Sequence, residues 1–223
     1  MSQSAFMTEH QQSLEALQDI KRMMERSSRF ISLSGLSGIG AGICALAGAW
    51  VANNTLKAYH ALYPANQNTP RKIYHWGTEK IVFDLIQIAL VVLIAAIAVA
   101  FLFTWLKSKK TGMPVWGSAA RRLLWNTIIP LWVGGFCILR MLQFGYYDLV
   151  APSSLIFYGL ALVNASKYTL GEVRYLGYGQ LILGVINLWM PGEGLLFWAL
   201  GFGVLHIVYG AVMWWKYERK EGV

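Results

Sequence analysis

Charge is what this chain has least of: Asp, Glu, Lys and Arg make up 13% of its 223 residues, where a soluble domain carries about 25%. Cysteine is almost missing as well. The two present, Cys44 and Cys137, sit inside apolar runs. They read as small apolar filler, since two thiols alone hold no metal and a disulfide is not expected at such positions. There is no HExxH, no cluster of His and carboxylate ligands, no phosphate-binding loop and no haem-type His pair, so neither a metal nor a cofactor is expected. No basic stripe interleaved with aromatics marks a soluble face, which excludes nucleic acid as a partner. The first 29 residues are polar and lack a short apolar core with a small-residue cleavage site. No removable signal peptide is expected there.

What is present is hydrophobicity, 56% of the chain, gathered into six runs: 30–51, 81–106, 123–142, 149–165, 175–190 and 195–215. About 20 helical residues cross a hydrocarbon core of about 30 Å, so four runs span comfortably and the fourth and fifth are short. The pattern predicts an all-α polytopic membrane protein with six transmembrane helices. Basic residues between the runs alternate. Fourteen fall on one side (Lys21, Arg22, Arg26, Arg29, Lys107, Lys109, Lys110, Arg121, Arg122, Lys167, Arg174, Lys216, Arg219, Lys220) and four on the other (Lys57, Arg71, Lys72, Lys80). By the positive-inside rule, both termini are expected in the cytoplasm. The net charge of +8 is then mostly a topology signal. Trp and Tyr near the run ends, among them Trp105, Trp125, Trp189 and Trp215, fit interfacial belts.

One polar piece precedes the six-helix domain of residues 30–223 and another, an outer loop, lies within it. Residues 1–29 carry Leu14, Leu17, Ile20 and Met24 at three- and four-residue steps, which predicts an amphipathic cytoplasmic helix. It is expected to lie along the inner surface or under the bundle, and residues 1–28 with the first span offer a surface for self-association or a membrane-protein partner. The outer loop, 52–80, holds His60 and His75 but no third metal ligand beside them.

Within the spans, polar and small residues are the informative ones, because no water is there to partner them. Ser34, Gly38, Ala41, Ala45 and Gly48 make a small-residue face, expected to bring another helix backbone close. Gly177, Gln180, Gly184 and Asn187 form a stripe on the fifth span, and Gly203, His206, Gly210 and Met213, with Tyr209 beside them, form one on the sixth. The short connection 191–194 makes the two spans a hairpin whose stripes are expected to face each other. His206 is the ionisable group nearest mid-span and is a candidate functional residue on that ground. Gln180, Asn187, His206 and Tyr209 outline a polar intramembrane path. Asp84 and Arg140 enter at similar depth near the outer ends of the second and third spans, with Gln87 one turn below Asp84. An ion pair at the outer mouth is expected there. Pro130, followed by Gly134 and Gly135, should bend the third span.

Gly35-Leu36-Ser37-Gly38 resembles the GxSG string around the nucleophile of rhomboid intramembrane proteases, and His206 with Gly210 their histidine helix. The serine lies in the first span and near the opposite membrane face, so an intramembrane serine hydrolase is only a remote alternative. Residues 24–35, 162–172 and 194–203 resemble a family of bacterial inner-membrane proteins to which no activity is attached. That resemblance implies the six-helix architecture and a multi-pass place in the inner membrane, and no catalytic residue. The leading functional expectation is a small transporter or channel-like protein for a small solute or ion. The alternative is an accessory, sensory or assembly subunit of a membrane complex, and an enzyme is the less expected class.

Overall fold

In the computed structural model, residues 34–62, 77–111 and 116–219 are described. The arm 1–29 and residues 63–76 of the predicted outer loop lie outside them. The described chain is helical throughout, with no strand: α1 (Gly35–Leu62), α2 (Gly77–Thr111), α3 (Ser118–Gln143), α4 (Val150–Ala165) and α5 (Val173–Leu188). A 3-10 turn, Tyr147–Leu149, leads into α4. The last helix, α6, runs through four consecutive segments: Gly194–Trp198, a π-wound Ala199–Leu205, His206–Met213 and a π-wound Trp214–Glu218.

Five stretches are long and apolar enough to cross a membrane: Gly35–Leu62, Lys80–Lys110, Ser118–Gln143, Tyr147–Ala165 and Gly194–Tyr217. α4 and α5 have 16 residues each, as their short apolar runs predict, and α4 reaches spanning length with the preceding 3-10 turn. The helices outlast the apolar runs at several ends. α1 continues through Asn53, Asn54 and Lys57 to Leu62, because polarity marks where the hydrocarbon would stop and a solvated helix can go on past that point.

The packing order is α2 on α1, α1 on α6, α6 on α4 and α5, α5 on α4, and α4 on α3. α6 is therefore the central helix, while α2 and α3 lie at the two edges. Large apolar side chains such as Phe83, Ile94, Phe101, Trp132 and Phe136 face outward, and the interior holds Gln180, Asn187, His206, Ser37, Ser153 and Thr169 among alanines and glycines. Such a small and polar interior under an apolar exterior fits helices that associate without a hydrophobic driving force between them.

The close approaches explain the glycines. A Cβ on Gly35 would strike the backbone of Trp214 and Gly210, and one on Gly42 would sit 2.7 Å from the Gly203 carbonyl. Gly210 returns the contact, with its Cβ position 2.6 Å from both Gly35 O and Ile39 N. The start of α1 thus lies beside the end of α6. Another set on α1 faces the other way: Cβ positions of Gly40 and Gly48 run into Val99 and Val92 of α2. The small residues of α1 serve two neighbours.

The glycine stripes of α5 and α6 do not face each other as expected from the hairpin. Gly177 and Gly184 pack on Gly159, Val163 and Ile156 of α4, whereas Gly203 and Gly210 pack on Leu46, Gly35 and Ile39 of α1. Period alone says that a stripe is buried, not which neighbour buries it. Only the polar members of the two stripes meet.

Candidate functional site

That meeting point is the carbonyl of Gly201, inside the π-wound segment of α6. In such a segment the backbone bonds run i→i+5, and a carbonyl oxygen, with two lone pairs, can accept from side-chain donors besides. Two arrive here. Gln180 Nε2 donates at 2.8 Å, and His206 Nδ1 lies 3.0 Å away. A carbonyl only accepts, so Nδ1 carries the proton and Nε2 is left as an acceptor. Tyr158 of α4 supplies the donor, its hydroxyl 2.9 Å from Nε2. Both ring nitrogens of His206 are thereby occupied. Gly201 must be glycine for this, since a Cβ there would meet Leu155 Cδ2 and stand 2.5 Å from Gln180 Oε1.

Aromatic rings complete the wall around this cluster. Trp198, Phe202 and His206 follow each other at four-residue steps, with centroids 5.2 and 6.1 Å apart. The Tyr158 ring stacks on His206 at 5.5 Å and leans on Phe202 at 5.0 Å.

Three buried side-chain atoms have no partner among the described residues: Gln180 Oε1, Asn187 Oδ1 and the Tyr209 hydroxyl. Gln180 is fully enclosed at 0% exposure and Asn187 nearly so at 2%. The amide of Asn187 is anchored like that of Gln180, its Nδ2 donating to Met190 O at 3.3 Å. Since both nitrogens face carbonyls, neither amide can be turned over to hide its oxygen. Asn187 lies seven residues from Gln180 along α5, or about 10 Å, and Tyr209 lies about as far on in the other direction along α6.

The end of this series nearest Tyr209 is closed by Glu172, in the connection before α5. Its carboxylate accepts from Lys216 Nζ and, at 2.6 Å, from the Tyr217 hydroxyl. Partial burial pushes the Glu172 carboxyl up, but the bonds from Lys216 and Tyr217 and the Lys216 charge outweigh it and hold it below the usual carboxylate range.

Other expected residues are placed apart. Arg140 donates to Gln143 Oε1 at 2.8 Å and covers the Phe144 ring at 4.1 Å. Asp84 is half-buried and Gln87 exposed on α2, which packs on α1 while α3 packs on α4. No ion pair joins Asp84 to Arg140. Ser37 Oγ donates back to Ser34 O at 2.5 Å, and with His206 Nε2 occupied by Tyr158 no serine–histidine dyad is formed. Among the described residues no three metal-ligating side chains come together.

Two features escaped the sequence reading. Tyr158 carries no periodic signal, because a lone tyrosine in an apolar run looks like any aromatic. The second has a signal: Pro130 lacks an N–H, so the carbonyl four residues earlier, Asn126 O, loses its helical donor. Asn164 Nδ2 of α4 supplies the replacement at 2.8 Å and approaches Asn126 Oδ1 at 3.4 Å.

The fold and the enclosed polar centre together fit a multi-pass helical membrane protein. No protein-family model, curated protein or solved structure matches the chain.

Proposed function

We propose that this protein is a small transporter or channel-like protein of the bacterial inner membrane, with both termini cytoplasmic and a polar path along α5 and α6. The path runs past Asn187, Gln180 with His206, and Tyr209. The observation that carries the reading is that three of these four side chains keep a buried polar atom with no partner among the described residues. An unpaired group costs about 1–3 kcal/mol inside a protein and more in hydrocarbon. Three such groups spaced over about 20 Å of bundle are accounted for by water or a solute that partners them in turn. The proximity of the start of α1 to the end of α6 supports termini on one side, and the basic residues put that side inside.

Purified protein reconstituted in liposomes tests this. Small solutes should cross faster than in protein-free vesicles, and Gln180→Trp, which fills the centre, should return the rate to the protein-free value. Equal rates with and without protein would end the transport reading.

A second reading, an accessory or assembly subunit, is favoured by Gln87, an exposed amide on a helix whose most apolar window has none of its residues buried. Mass measurement of the protein extracted from its native membrane separates the two. Stoichiometric copurification of another chain supports the subunit, and a single gene product supports transport.

A further inference from the structure

One side of α2 is left uncovered. The helix packs on α1, with Val92, Val99 and Phe103 against the α1 glycines Gly40 and Gly48. The opposite side carries Phe83, Gln87, Leu90, Ile94, Ile97 and Phe101, all exposed. Five of these six suit lipid tails, and Gln87 does not. It lies six residues into the apolar run, about 9 Å along the helix, and its amide makes no hydrogen bond among the described residues. Lipid tails offer neither donor nor acceptor, so nothing in them offsets the cost of stripping water from the amide.

A primary amide is its own complement, since its nitrogen donates and its oxygen accepts. A two-fold axis sets identical residues near the axis opposite each other. Two copies of Gln87 brought together in this way satisfy each other, each giving one bond and taking one. The rest of the face has the matching spacing. Its six residues recur at alternating four- and three-residue steps, the heptad period at which two helices pack in a left-handed pair. In such seams a single polar residue sets partner number and register. No charged side chain falls within this one, and Lys109 lies beyond it, over the Trp105 ring at 3.8 Å.

We propose that this face of α2 pairs with the same face of a second copy of the chain, in a parallel two-fold dimer whose two Gln87 amides bond to each other. The pairing is independent of the transport reading. A homodimer is a single gene product, and α1 stands between α2 and α6.

The test uses the full-length chain in native membranes, with Cys44 and Cys137 replaced by Ala. Leu90→Cys or Ile94→Cys is oxidised and compared with Ile182→Cys, a lipid-facing position 60% exposed on α5. The first two should form disulfide-linked dimers well above the Ile182→Cys level. Adding Gln87→Leu should weaken dimerisation in mild detergent by about tenfold, the equivalent of two interhelical bonds, while the fold melts as the parent does. Gln87→Asn, which keeps an amide, should lose less. Cross-linking no greater than that of Ile182→Cys, or a Gln87→Leu chain that dimerises like the parent, would overturn the pairing. So would a cross-link to a different protein, which would assign the face to the subunit reading instead.

Discussion

At the scale of single residues, Gly201 decides the centre of the molecule. Its carbonyl accepts from both Gln180 and His206, and its missing side chain leaves room for Leu155 and the Gln180 oxygen. Gly201→Ala should therefore destabilise the protein by about 1–3 kcal/mol, the range for overpacking in a tight interior. Thermal melting in detergent measures it, and an unshifted transition would mean that the contact yields at little cost. Tyr209 should behave in the opposite way. Deleting an unpaired buried hydroxyl removes a desolvation cost, so Tyr209→Phe is expected to melt at or above the parent temperature. These roles were only partly legible in the sequence. Gln180 and His206 stood out as polar groups in apolar runs, but their common acceptor did not. A main-chain carbonyl that accepts from side chains leaves no trace in residue type.

At the scale of elements, the clasp between α3 and α4 shows how one helix repairs another. Pro130 deprives Asn126 O of its donor, and Asn164 of the neighbouring helix restores it. Asn164→Ala should then cost about 0.5–2 kcal/mol, the range spanned by interhelical bonds in membrane proteins and model peptides. The diagnostic is a double-mutant cycle with Pro130→Ala, which gives Asn126 O a backbone donor again. The cost of losing Asn164 should shrink in that background. Additive costs would show that Asn164 acts elsewhere. Half of this device could be read from the sequence, since Pro130 names the carbonyl it frees. The donor could not, because Asn164 is 38 residues away and only packing brings it near. The helices themselves were legible because length and hydropathy set them. Their neighbours were not. The glycines of α5 fit α4 and those of α6 fit α1, and a stripe of small residues carries no address.

At the scale of the whole molecule, the connection before α5 is tied to the end of α6 through Glu172, Lys216 and Tyr217. Because the folded protein holds the Glu172 carboxyl below its usual range, this tie contributes stability above the unfolded carboxylate range. The contribution is lost as the pH falls through the lowered folded value. Melting temperature should drop on acidification over that window, and Glu172→Gln should flatten the drop. The effect is expected to be small, since Lys216 is 56% exposed and solvent screens such pairs. A parent and Glu172→Gln with the same acid profile would show that the tie adds nothing to stability.

The central claim is that water reaches the middle of the bundle between α5 and α6 while the outer faces meet lipid. Cysteine accessibility tests it most directly, on a background in which Cys44 and Cys137 are replaced by Ala. Single Asn187→Cys, Gln180→Cys and Tyr209→Cys variants in intact proteoliposomes would be exposed to a small, charged, membrane-impermeant thiol reagent, with Ile182→Cys on the outward face of α5 as the lipid control. The proposed path predicts labelling of the first three and protection of Ile182→Cys. Protection of all three path positions, with labelling restored only on unfolding, would contradict it.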